Sequence, residues 1–79
     1  MDRATYRVRL EATGTSLRQA SKDLGLSTGT PSRWRDTGVP RYAIAYLVAL
    51  ERMDETERAA FRAAIEAADP GTDAASSMA

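Results

Sequence analysis

The sequence predicts an all-α domain of five helices with no substantial sheet, and three observations predict it. Apolar residues recur at three- and four-residue spacing along most of the chain, the period of a helix face rather than of a strand. Two box-type caps mark helix starts, Ser16 with Gln19 and Asp54 with Glu57. In each, the first side chain accepts a backbone N–H and the second reaches back to the cap residue. Glycine or proline then closes the periodic runs, at Gly14, Gly25, Gly38 and Asp69-Pro70-Gly71.

The first element, from Arg3 to Ala12, has two readings. Tyr6, Val8 and Leu10 alternate as a short edge strand would, while Tyr6 and Leu10 also stand at i and i+4 on a helix. Thr13-Gly14 makes a helix stop and favours the helical reading. In the second element Leu17, Ala20, Ser21 and Leu24 share one face; Ser16 caps it, and Gly25 ends it by taking the left-handed conformation that glycine adopts at little cost. Leu26 is expected to tuck beneath the turn that follows.

The third element is a short helix carrying Trp34, the only tryptophan, which can close a small core against the second. Two residues compete to start it. With Ser27 as cap, Pro31 falls at the fourth helical position, where its ring presses on the Ser27 carbonyl. With Thr30 as cap, Pro31 becomes the first helical residue, a position proline prefers. The sequence favours Thr30, and so predicts a longer turn and a third helix of little more than one to two turns.

Asp36, Thr37 and Gly38 form the next break, with Gly38 as a left-handed cap. Pro40 then belongs to the first turn of a central helix running from about Arg41 to Met53. That helix is apolar on nearly every side, which predicts cover on more than one face. The last helix runs from Glu55 to about Ala68, with Phe61, Ile65 and Ala68 as its apolar stripe beside the small Ala60 and Ala64. Residues 1–69 are expected to form one domain and residues 70–79, small and polar, a disordered tail.

Composition narrows the function. The 79 residues hold no cysteine and no histidine, so disulfides, thiolate metal sites and the commonest general base are all missing. No carboxylate pair falls in a catalytic constellation, and neither an enzyme nor a cofactor or metal is expected. A domain this small holds only about 3–5 kcal/mol from its own core, which favours oligomerisation as a further source of stability. The longest apolar run, Tyr42 to Leu50, is far short of the roughly 20 residues that span a bilayer. Arginines interrupt the start of the chain where a signal peptide would be apolar. The expected setting is the cytoplasm, with no membrane partner.

Net charge is zero, but its distribution is not uniform. Residues 1–42 carry eight basic side chains against four acidic ones, and residues 43–79 carry three against seven, giving +4 and −4. One half suits phosphate and the other repels it. Ten of the eleven basic residues are arginine, whose planar fork fits both phosphate and guanine.

The block from Gly14 to Pro40 resembles the Cro and C1-type repressor family of phage helix-turn-helix regulators. The resemblance rests on Gly14 and Gly25, eleven residues apart, on Ser16 as cap, on Ser21 at the small-residue position, and on the run QASKDLGLSTGTPSRW followed by Val39 and Pro40. It implies a compact five-helix, lambda-repressor-like domain whose first segment is helical and whose third helix lies in the major groove of double-stranded DNA. Pro31 departs from the pattern, which has valine or isoleucine there. Carried over by position, Arg33, Ser32 and Thr28 become base readers, with Gly29 allowing close backbone approach. Arg33 leads, because a bidentate arginine on guanine is the commonest specific contact. Ser27, Arg35, Gln19, Arg18, Lys22, Arg41 and Tyr42 become phosphate contacts, and the late start of the helix shifts weight to Ser32, Arg33 and Arg35. Trp34, Tyr6 and Tyr46 are expected in the core.

So short a reading helix implies a homodimer on an inverted-repeat operator, with half-sites roughly 34 Å apart. Phe61, Ile65, Ala64 and Ala68 are the first candidates for its interface and the exposed part of the central helix the second. The expected function is an autoregulatory repressor with no small-molecule effector. The alternative is a protein-interaction module that uses the same fold to inhibit a host protein. Few exposed aromatics interleave with the basic residues, which argues against single-stranded or RNA partners.

Overall fold

A computed structural model describes residues 1–27 and 29–68 and places five helices along them: α1 (Arg3–Ala12), α2 (Leu17–Asp23), α3 (Thr30–Thr37), α4 (Arg41–Glu51) and α5 (Glu55–Ala68). The described residues are all-α, with no strand among them. The expected tail, residues 70–79, lies outside the described residues.

The first segment is helical, and exposure along it shows why. Tyr6 and Leu10 are fully buried while Val8, between them, is 68% exposed. A strand would have put all three on one face. Asp2 caps α1, its Oδ1 accepting from the Thr5 amide at 2.7 Å. That bond holds the Asp2 carboxyl below its ordinary range.

α1 and α2 end alike. At α1 the Gly14 amide donates to Glu11 O and the Thr15 amide to Leu10 O; at α2 the Gly25 amide donates to Lys22 O and the Leu26 amide to Ser21 O. Each pair is a Schellman closure, and each needs positive φ at its glycine, here +86° at Gly14 and +71° at Gly25. These closures turn the chain sharply twice and bring α1, α2 and α3 into mutual contact. Leu26, one residue past the second closure, is half-buried against the core as expected.

The core gathers Tyr6, Leu10, Ala20, Trp34, Val39, Ala43, Tyr46, Leu47 and Leu50. Tyr6 meets Trp34 edge to face, with ring centroids 5.5 Å apart at 87°. Tyr46 packs on Phe61 at 6.2 Å. Such pairs add about 0.5–1.5 kcal/mol beyond the area they bury.

Several local expectations are corrected. Gln19 does not reach back to complete a box with Ser16: the Ser16 hydroxyl accepts from the Gln19 amide at 3.0 Å, but the Gln19 side chain donates forward to Asp23 Oδ1 at 2.8 Å. A charge-assisted bond to a buried carboxylate outcompetes one to an exposed cap. At Asp54 and Glu57 the box closes in both directions, at 2.9 and 2.8 Å. α4 begins at Arg41 as expected, but Pro40 is its N-cap rather than part of its first turn, and it ends at Glu51 with Arg52 as C-cap rather than reaching Met53. Nor is α4 covered on more than one side. Ala43, Tyr46, Leu47 and Leu50 form a single buried face, while Tyr42 and Val48 remain 49% and 39% exposed.

α5 lies across the open side of the core, with Phe61 and Ile65 half-buried against it. Two arginines fasten it. Arg58 donates from Nε to the Leu50 carbonyl at 2.8 Å and from Nη1 to the Thr13 carbonyl at 3.2 Å. Arg62 donates to Asp23 Oδ2 at 3.1 Å and to Thr15 Oγ1 at 3.2 Å.

Candidate nucleic-acid interface

α2 and α3 are joined by a turn whose geometry decides where α3 begins. Gly29, not Thr30, is the N-cap; it is already in right-handed helical conformation, at φ −83° and ψ −14°, and offers no side-chain bond. Thr30 is then the first helical residue and Pro31 the second. The Thr30 amide donates to Ser27 O at 3.1 Å, the Ser32 amide to Gly29 O at 3.2 Å, and the Ser27 and Thr30 hydroxyls share a 2.8 Å hydrogen bond. These turn bonds occupy the Thr30 hydroxyl, so the cap falls back one residue. The late start holds nonetheless: Pro31 sits in the first turn, where its missing N–H costs nothing. The resulting α3 has eight residues.

Pro31 and Trp34 are buried and define the inner face of α3. Ser32, Arg33 and Arg35 are exposed, as is Asp36, which helical spacing puts between Ser32 and Arg33 on the outer face. On α2, Arg18 and Lys22 are exposed. Gln19 is half-buried and its amide is engaged by Asp23. Ser27 is exposed in the turn. At the start of α4, Arg41 and Tyr42 are exposed, and the first intrahelical bonds run from Ala43 and Ile44 to the Pro40 carbonyl. Thr28 lies outside the described residues.

Between α2 and α3 runs an open groove of about 780 Å³. It brings together Arg18, Gln19, Lys22 and Ser32 from the expected set, with Leu17, Leu26 and Pro31 as its apolar floor. Arg3, which the sequence did not single out, completes its rim. No acidic side chain lines it among the described residues. Arg33, Arg35, Arg41, Tyr42 and Ser27 lie outside the groove.

Beneath α2 sits a polar cluster that sequence reasoning missed. The Asp23 carboxylate, 3% exposed, accepts from the Tyr46 hydroxyl at 2.6 Å, from Arg62 and from Gln19. Burial and the bond to Asp23 push the Tyr46 phenol above its ordinary range. The only local signal is the four-residue spacing of Gln19 and Asp23. Tyr46 and Arg62 are 23 and 39 residues away in sequence. Tyr6 differs: its hydroxyl is buried with no hydrogen-bond partner among the described residues, and burial, with the nearby Tyr42, pushes it up to about 12.

Of the residues offered for a dimer interface, Phe61 and Ile65 face the protein's own core, while Ala64 and Ala68 are exposed on α5. Among the described residues no group of three or more metal-ligating side chains forms, and no helix is long and apolar enough to cross a membrane. No protein-family model matches the chain, and no curated protein or solved structure matches it either.

Proposed function

We propose that this chain is a sequence-specific repressor that binds double-stranded DNA as a homodimer on an inverted repeat, without cofactor or small-molecule effector. The observation that carries the reading is the cationic edge of α2 and α3: Arg18, Lys22, Arg33 and Arg35 are exposed, and no acid lines the groove between the helices among the described residues. Helix-turn-helix proteins put such an edge into the major groove, the second helix reading bases and the first crossing the backbone. Arg33 reads guanine, and Ser32 makes a weaker base contact. Asp36, on the same face, accepts from a cytosine amino group. Arg18, Lys22, Ser27, Arg35 and Arg41 contact phosphates, joined by Tyr42 at the start of α4. Gln19 adds less, since its amide already serves Asp23.

Binding to the duplex upstream of the chain's own coding sequence, measured across a salt series for wild type and Arg33→Ala, tests this. Steep salt dependence is expected, with a loss of about 1–3 kcal/mol and relaxed specificity in the variant. Equal, weak binding to every sequence, unaffected by Arg33→Ala, overturns it in favour of a protein-interaction module.

The dimer draws on the uncovered face of α4, where Val48 and Ala45 are exposed, since Phe61 and Ile65 of α5 are occupied internally. Sedimentation should give a dimer for wild type on DNA and a weakened one for Val48→Asp. A monomer at micromolar concentration, free and on DNA, rejects it.

A further inference from the structure

Five arginines among the described residues are set apart by what their Nε does. Arg7 Nε donates to Glu11, Arg9 Nε to Glu51, Arg58 Nε to the Leu50 carbonyl and Arg62 Nε to Asp23. Arg3 Nε is buried from solvent and has no acceptor among the described residues. A desolvated donor on a charged group is costly to leave unmade, so little holds the Arg3 side chain in this position once an acceptor reaches the groove. Arg3 lines the α2–α3 groove together with Ser16, Arg18 and Lys22, three cations in one groove that no acidic side chain lines among the described residues.

We infer that Arg3 is a backbone-phosphate clamp, its side chain turning into the groove so that the guanidinium grips a phosphate oxygen of double-stranded DNA while Arg18 and Lys22 hold the neighbouring charge. The inference rests on the DNA-binding reading and extends it from the two helices of the motif to the first residue of α1. An anion in the groove gives the Nε an acceptor once the side chain turns, beside the two other cations that line it. A guanidinium presents two parallel donors to a phosphate, which an ammonium cannot do. The contact carries no base information, because phosphates look alike in every sequence.

The test uses the full chain and two duplexes of equal length, one from upstream of its own coding sequence and one scrambled, across a salt series. Arg3→Gln should weaken both by a similar factor, about tenfold for one charge-assisted bond. It should also flatten the log–log salt slope by about 0.9, the share of one phosphate contact. Arg3→Lys should keep the slope but not the full affinity. The melting temperature of Arg3→Gln should not fall, because the Arg3 Nε has no hydrogen-bond partner among the described residues. In nitrogen-edited NMR spectra, the Arg3 Nε–H signal should shift on adding the scrambled duplex.

Wild-type binding with an unchanged slope and an unmoved Arg3 signal overturns the clamp and leaves the DNA reading standing. A lower melting temperature with an unchanged slope makes Arg3 a structural residue and overturns the clamp as well. Wild type that binds neither duplex overturns the DNA reading and the clamp with it.

Discussion

The arginines of α5 and those of the α2–α3 edge are chemically the same group put to opposite uses. Arg58 and Arg62 donate to a helix-end carbonyl, a turn carbonyl, a threonine hydroxyl and a buried carboxylate, so the fold itself engages both guanidinium groups. Arg18, Arg33 and Arg35 are exposed, and no salt bridge engages them among the described residues. Charge counting alone treats the two sets alike. Part of the basic charge in the acidic half is thus committed to holding α5 on the core, whereas the α2–α3 edge keeps its cations exposed, as the proposed contact with phosphate requires.

That division puts the largest stability effect on Asp23. Asp23→Ala strips acceptors from Tyr46, Arg62 and Gln19 together and leaves a partly buried guanidinium without its carboxylate. Breaking buried pairs costs about 3–5 kcal/mol, and the lower end applies because the Arg62 side chain keeps 29% of its exposure. Urea denaturation of Asp23→Ala beside Arg33→Ala checks the comparison. The first should lose about 3 kcal/mol and the second stay within roughly 0.5 kcal/mol of wild type, as exposed sites do. Equal losses would erase the distinction between the two sets.

The next effect compares two buried phenols. Tyr46→Phe removes a donor to a buried carboxylate and should cost about 1–3 kcal/mol. Tyr6→Phe removes a hydroxyl that has no partner among the described residues, so it should be neutral or stabilising. Thermal melts of the two variants should therefore move apart. A Tyr6→Phe loss as large as that of Tyr46→Phe would mean that the Tyr6 hydroxyl has a partner after all.

The same contrast explains what could be read from the sequence. Helix starts and stops were legible because their chemistry is local: Asp54 with Glu57, Gly14 and Gly25 at left-handed closures, and Pro31 forcing α3 to begin late. The candidate edge was legible too, as exposed residues on a short helix. Illegible were the Asp23 cluster and the inward role of Phe61 and Ile65, which depend on how α5 returns across α2. A side chain's partner four residues away leaves a pattern in the sequence; one about 40 residues away does not. Thr30 shows the limit even locally. Its hydroxyl was free to cap on paper but is bonded to Ser27 in the fold, so the cap passed to Gly29.

The smallest expected effect lies outside both regions, in the Arg9–Glu51 pair that ties α1 to the end of α4. The hydrogen bond from Arg9 holds the Glu51 carboxyl below its ordinary 4.5. A carboxyl whose folded value is depressed contributes stability above its unfolded value and loses it as pH falls through the folded one. The stability difference between wild type and Glu51→Gln should therefore be present at neutral pH and vanish in acid below 4.5, and salt should shrink it because the pair is partly exposed. Parallel acid titration of the two proteins would show that the pair adds nothing. A difference that persists in acid would mean that Glu51 acts by packing rather than by charge. Either outcome leaves the contrast between α5 and the α2–α3 edge intact, since Arg9 belongs to neither set.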